Sequence, residues 1–158
     1  GGVARRVTVA NEVRDGGEYK GILAPDIEPQ LDTPKDLATR INVKLQAMPK
    51  AEAVVQDALI KEAYDLLRAW CEAFVEQDLL RGVTQRYRHN IMMTKLSKID
   101  ATRLGAATAV IEPLFARACD RMTGHSHAAE KMSTKPTVVE FQEDWEKAQA
   151  ARKAYLAE

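Results

Sequence analysis

"AEAVVQDALIKEAYDLLRAWCEAFVEQDLL", Ala51 to Leu80, is the stretch on which the fold turns. Val55, Leu59, Ala63, Leu66, Leu67, Trp70 and Phe74 recur three or four residues apart, which places them on one stripe of an α-helix. A stripe that wide must be covered by other elements, and the flanking sequence supplies them. Upstream, Thr33 caps a helix with Pro34 at its first position, ending near Met48-Pro49. Downstream, Gly82 interrupts the long helix, and a short helical or turn segment runs through "VTQRYRHN". "IMMTKLSKI" then reads as a short helix with Met92, Leu96 and Ile99 inward. Asp100 or Thr102 starts the next helix, to Met122, and Pro113 inside it predicts a kink or break near Ile111 to Pro113. After the loop "TGHSHAAEKMSTKP", Pro136 opens the last helix, from Thr137 to about Leu156.

The first thirty residues follow another pattern. Val7, Val9 and Val13 nearly alternate, "RDGG" is a turn signal, and "EYKGILA" can return, so a β-hairpin is expected over Arg5 to Ala24. A lone hairpin is marginal and must pack on something else. "PDIEPQLDTP" is a Pro-rich connector. The expected architecture is mainly α: a bundle of about four or five helices over 31–158, with an N-terminal β-hairpin and linker over 1–30.

Composition narrows the classes. The chain has 158 residues, which suits one domain with a core, and is 46% hydrophobic, too apolar for a disordered chain. Lys+Arg and Asp+Glu both number 23, so the net charge is zero and a histone-like polyanion binder is excluded, though a local patch is not. Cys71 and Cys119 form no disulfide framework, which points to a reducing, cytoplasmic compartment. No apolar run approaches the roughly 18 residues of a membrane span, so no membrane partner is expected. Gly1-Gly2 lacks an initiator Met, and the chain is expected to be a fragment of a longer protein. The phosphate-loop pattern G-x-x-x-x-G-K-[ST] is absent, as are G-x-G-x-x-G, G-x-S-x-G, H-E-x-x-H and C-x-x-C.

Three features carry candidate chemistry. Arg68 and Glu72, at i and i+4, meet on one helix face beside the apolar stripe. An ordinary surface ion pair is the plain alternative, worth a few tenths of a kcal/mol. His125 and His127 form an H-x-H whose rings share one side of an extended loop. Only Cys119 or Glu130 could complete a metal site and no spacing rule favours them, so no metal is assigned. A histidine here suits general acid–base work near neutrality, or is simply solvated. Third, Arg81, Arg86, Arg88, Lys95, Lys98 and Arg103 face Asp100 as the single acid between Arg81 and Arg103, a local excess of about five positive charges. Tyr87 and His89 lie among them and could stack on bases, so the strip is a candidate RNA contact or a solvated face.

Taken in order, "LLRAWCEAFVEQDLLRGVTQRYRHNIMMTKLSKI" and "TGHSHAAE", with a closing Glu/Trp-rich helix, resemble the C-terminal region of bacterial AAA-family, SMC/RecF-like ATPases. Leu67 to Leu80 match L-R-x-x-x-E-x-x-V-E-x-x-L-L, Val83 to Arg88 match V-x-Q-R-[FHY]-R, and Gly124 to His127 match [GE]-H-[SD]-[QH]. The hairpin "VTVANEVRDGGEYKGILAPD" is similar to the strands after the ATPase head of that group. The resemblance covers most of the chain, and none of its motifs is diagnostic alone.

It implies a HEPN-like RNase domain of the kind carried by anticodon nucleases, which act in phage defence. The catalytic residues would be Arg68, Glu72 and either His125 or His127, and Arg81, Arg86, Arg88, His89, Lys95 and Lys98 would bind RNA. The more familiar HEPN signature, R-x(4–6)-H, is not met between Arg81 and His89. The implied activity is metal-independent, tRNA-type RNA cleavage by a homodimer. The implied partner is the rest of the same ATPase polypeptide, with ATP and Mg held only in that missing head and no cofactor in this chain. The alternative is a non-catalytic module that dimerises, positions the ATPase or binds nucleic acid.

Overall fold

The computed structural model describes residues 7–14, 17–25, 31–122 and 135–157. The chain divides into two units, Gly1–Leu31 and Asp32–Glu158. The first is a two-stranded antiparallel sheet of β1 (Val7–Arg14) and β2 (Gly17–Pro25). Its register runs from Val7 opposite Pro25 to Arg14 opposite Gly17, with a bulge between Ala10 and Glu12.

The second unit is the helical bundle, built from α1 (Pro34–Ala47), α2 (Ala53–Ala73), α3 (Ala101–Arg121) and α4 (Val138–Leu156). Two starts are capping boxes. Thr33 pairs with Asp36 and Thr137 with Glu140, each hydroxyl accepting from the backbone N–H that the helix leaves unpaired. Asp100 caps α3 by accepting from the N–H groups of Thr102 and Arg103. No described helix is long and apolar enough to cross a membrane.

α2 is central, with α1, α3 and α4 packed on it and α3 also on α4. Ile60, Ala63, Tyr64, Leu67, Trp70, Cys71 and Phe74 are its buried line. Trp70 stacks on Phe74 and meets Trp145 of α4 edge to face, with centroids 5.3 Å apart. Tyr64 meets Phe141 in the same way at 4.9 Å. Aromatic pairs of this geometry add about 0.5–1.5 kcal/mol each beyond burial, so they fix how α4 docks.

Three expectations are corrected. Val55 is 52% exposed, because it lies in the first turn of α2, where Gln56 instead reaches back to donate to the Met48 carbonyl. "IMMTKLSKI" forms a 3-10 turn over Met93–Lys98 with no buried residue, and Leu96 is 50% exposed, because this segment lies on the bundle surface. Of the kink or break expected near Ile111 to Pro113, the break does not occur, and α3 continues through Pro113 as one helix. Pro113 and Ala109, whose carbonyl loses its partner, are both exposed, so solvent can satisfy that carbonyl.

The end of α2 shapes the site. After Ala73 the helix widens into a π-turn over Phe74–Leu79, with the Leu80 N–H donating to the Val75 carbonyl. Arg81 (φ +52°) and Gly82 (φ +66°) are then both left-handed and reverse the chain. A glycine takes that conformation without strain, and a Cβ at position 82 would sit 3.1 Å from the Gln85 side-chain nitrogen.

Candidate functional site

Arg68, Glu72 and Glu76 lie four residues apart on one face of α2 and its widened end. The reversal at Arg81-Gly82 returns the chain so that Arg86 meets both carboxylates. Arg68 Nη2 forms an ion pair with Glu72 Oε1 at 3.0 Å, and Arg86 Nη1 forms one with Glu72 Oε2 at 2.8 Å. Arg86 Nε donates to Glu76 Oε2 at 2.9 Å, and its backbone N–H donates to Glu76 Oε1 at 3.0 Å. Every carboxylate oxygen of Glu72 and Glu76 therefore has a partner, a guanidinium for Glu72 and N–H donors for Glu76. Glu76 is only 9% exposed, a position an ionised carboxylate holds when so compensated.

The guanidinium groups are less saturated. Arg68 gives Nη2 alone to this network, and Arg86 gives Nε and Nη1. Among the described residues nothing accepts from the other N–H groups of Arg68 or from Nη2 of Arg86. Both side chains are partly exposed. The carboxylates thus hold two guanidinium planes in place while leaving N–H donors open to a ligand.

Those donors open into a cleft of about 870 Å³. One wall is α2 and its widened end, with Arg68, Cys71, Glu72, Val75 and Glu76. The returning segment adds Leu80, Thr84, Gln85 and Arg86, and α3 adds Ile111, Glu112 and Phe115. Glu112 forms no ion pair among the described residues. Burial pushes the Cys71 thiol up to about 12, with Cys119 and Glu72 adding to the shift, so it is no thiolate nucleophile at neutral pH. Among the described residues no three His, Cys, Asp or Glu side chains gather as a metal site.

The basic strip is divided by the fold. Arg86 belongs to the cleft. Arg81 lies over the Tyr155 ring at 5.9 Å, with its Nε buried and unpartnered. Arg103 is turned to the Tyr155 and Ala157 carbonyls and to Asp100. Arg88, His89 and Lys98 are exposed and Lys95 is half-buried, so these four remain as an outward basic surface beside exposed Tyr87. His125 and His127 lie outside the described residues.

Glu76, Glu112 and Phe115 are site residues that sequence reasoning passed over. Spacing could have found Glu76, four residues after Glu72. Nothing local points to Glu112 or Phe115, because only the packing of α3 on α2 brings them to the cleft. Compared with known protein families, with curated proteins and with solved structures, the chain matches none.

Proposed function

We propose that this chain is an RNA-cleaving, HEPN-like effector domain of an SMC/RecF-like ATPase. The observation that supports the reading is that Arg68, Glu72 and Arg86, one member of the basic strip, share one open cleft. Cleavage of a ribose–phosphate bond needs a base for the 2′-OH, an acid for the leaving 5′ oxygen and a cation for the charged phosphorane. Arg68 supplies the cation, with N–H donors left open toward the cleft. Glu72 and Arg86 act on Arg68 and its surroundings by fixing the geometry. His125 or His127 supplies the proton transfer. Arg88, His89, Lys95 and Lys98 carry the flanking strand through phosphate contacts. A homodimer linked to the ATPase head, acting in phage defence, is part of the same reading.

The test is RNA degradation by the full ATPase-containing polypeptide. Arg68→Ala and one of His125→Ala or His127→Ala are expected to lower the rate by roughly 10²–10⁴-fold, the range for a lost proton-transfer or charge-stabilising group. Cleavage by the wild type that both histidine variants retain in full would overturn the assignment.

One observation favours a second reading, a nucleic-acid-binding or scaffolding module without cleavage. Every oxygen of Glu72 and Glu76 is already engaged within the chain, which is also what a strut holding residues 83–92 against α2 would require. That reading predicts salt-dependent RNA affinity that Arg68→Ala leaves intact.

A further inference from the structure

The cleft is not a simple anion trap: its walls carry two arginines and three glutamates, Glu112 among them. A polyphosphate surface would not be built with an excess of carboxylate. A single nucleotide has both kinds of demand. Its phosphate wants guanidinium donors, and its base wants an apolar face and edge-on hydrogen bonds.

We infer that the cleft holds one nucleotide of the RNA and reads its base as guanine. The phosphate lies at the open N–H donors of Arg68 and Arg86. The base lies against the α3 wall, with its face on Phe115 and its edge at Glu112. Phe115 and Glu112 are one turn apart on α3, so they present a ring and a carboxylate to the same cleft. Glu112 has no ion pair among the described residues, so its acceptors stay open to a ligand. A carboxylate is a pure acceptor. Guanine is the base whose Watson–Crick edge offers two adjacent donors, N1–H and the N2 amine. Adenine and cytosine offer one donor beside a ring nitrogen acceptor, which a carboxylate repels. Uracil flanks its one N–H with two carbonyls. Sites that pair buried or wall-bound polar groups with a substrate discriminate strongly against analogues lacking the partner. Gln85, on the returning segment, supplies a neutral amide to the same cleft.

This inference rests on RNA entering the cleft, and its test is chosen to stand apart from cleavage. The probes are guanosine, inosine and adenosine 5′-monophosphates, titrated calorimetrically into the chain. Guanosine monophosphate is expected to bind about tenfold more tightly than inosine monophosphate, which lacks the N2 amine, and more tightly still than adenosine monophosphate. Glu112→Gln, an exposed and conservative change, is expected to remove the guanine preference by weakening guanosine monophosphate binding and, with the repulsion of the adenine ring nitrogen relieved, tightening adenosine monophosphate binding. Equal binding of the three probes, no binding of guanosine monophosphate at millimolar concentration, or a preference that survives Glu112→Gln would each overturn it. RNA cleavage without guanine preference would sink the base reading alone. Guanine-selective binding without cleavage would sink the nuclease reading alone.

Discussion

Two arginine–carboxylate clusters differ in how far their carboxylates are covered. On the seam of α2, α3 and α4, Asp144 is 1% exposed, accepts from the Tyr64 hydroxyl at 3.1 Å and forms an ion pair with Arg117 Nε at 3.3 Å. At the widened end of α2, Glu72 and Glu76 hold Arg68 and Arg86 at the wall of a cleft. The groups are the same and the surroundings differ. In the first, helices close over the carboxylate, and Arg117 and Tyr64 are the partners that compensate its burial. In the second, the carboxylates face arginines whose remaining donors are open. A closed cluster secures the fold, and an open one can bind. Neighbours, not residue types, separate the two roles.

The largest expected effect comes from breaking the closed cluster. Asp144→Ala leaves the buried Tyr64 hydroxyl unpaired and takes the partner from Arg117, whose side chain is 39% exposed, and should cost about 1–3 kcal/mol, read as a lower midpoint in urea unfolding. A change within 0.5 kcal/mol or so would show that the seam is not as closed as its geometry indicates.

Alkaline pH should strike the same core next. Burial lifts the Cys71 thiol from 9.0 to about 12, and burial, with Asp144 adding to it, lifts the Tyr64 phenol above its ordinary 10.0. In each case the unfolded chain loses the proton first. The stability from keeping these groups neutral is whole below about pH 9 and is lost as pH rises through the Cys71 window toward 12. Each group contributes up to about a tenfold fall in the folding constant per pH unit within its window. Cys71→Ala should flatten the early part of that fall, and an unchanged slope from pH 9 would remove Cys71 from the account.

Breaking the open cluster should cost less. Arg86→Ala leaves Glu76 with only the backbone N–H of residue 86, and an expected loss of about 1–2 kcal/mol follows from the lost charge-assisted bond. Faster amide exchange should be confined to residues 83–92, which that contact helps hold against the widened end of α2. Arg68→Ala, at a partly exposed pair, should change stability by less than about 1 kcal/mol. Loss of global stability in Arg68→Ala as large as in Asp144→Ala would erase the distinction between the clusters.

Much of the bundle was legible along the chain, because its signals are local. Thr33-Pro34 with Asp36, and Thr137 with Glu140, mark helix starts through bonds that span only three residues. The α2 stripe is legible for the same reason, since helical periodicity is a property of adjacent turns. Val55 and Leu96 were misassigned because an apolar residue is buried only if a distant element arrives to cover it. Pro113 makes no break because the exposed side of α3 tolerates a lost backbone bond. In the site, the Arg68–Glu72 pair followed from spacing alone. The capture of Arg86 by both glutamates required the widened turn at Phe74–Leu79 and two left-handed residues in a row, which no local pattern announced.

The sequence by itself determined the helices, their caps and the charges offered on the face of α2, since these depend on neighbours within a turn or two. Tertiary structure decided that α3 would bring Glu112 and Phe115 beside Arg68, that Asp144 would be sealed, and that Arg81 and Arg86 would leave the basic strip. The reason is range. Hydrogen bonds of a helix close within four residues, whereas burial and charge pairing depend on what packs across the bundle.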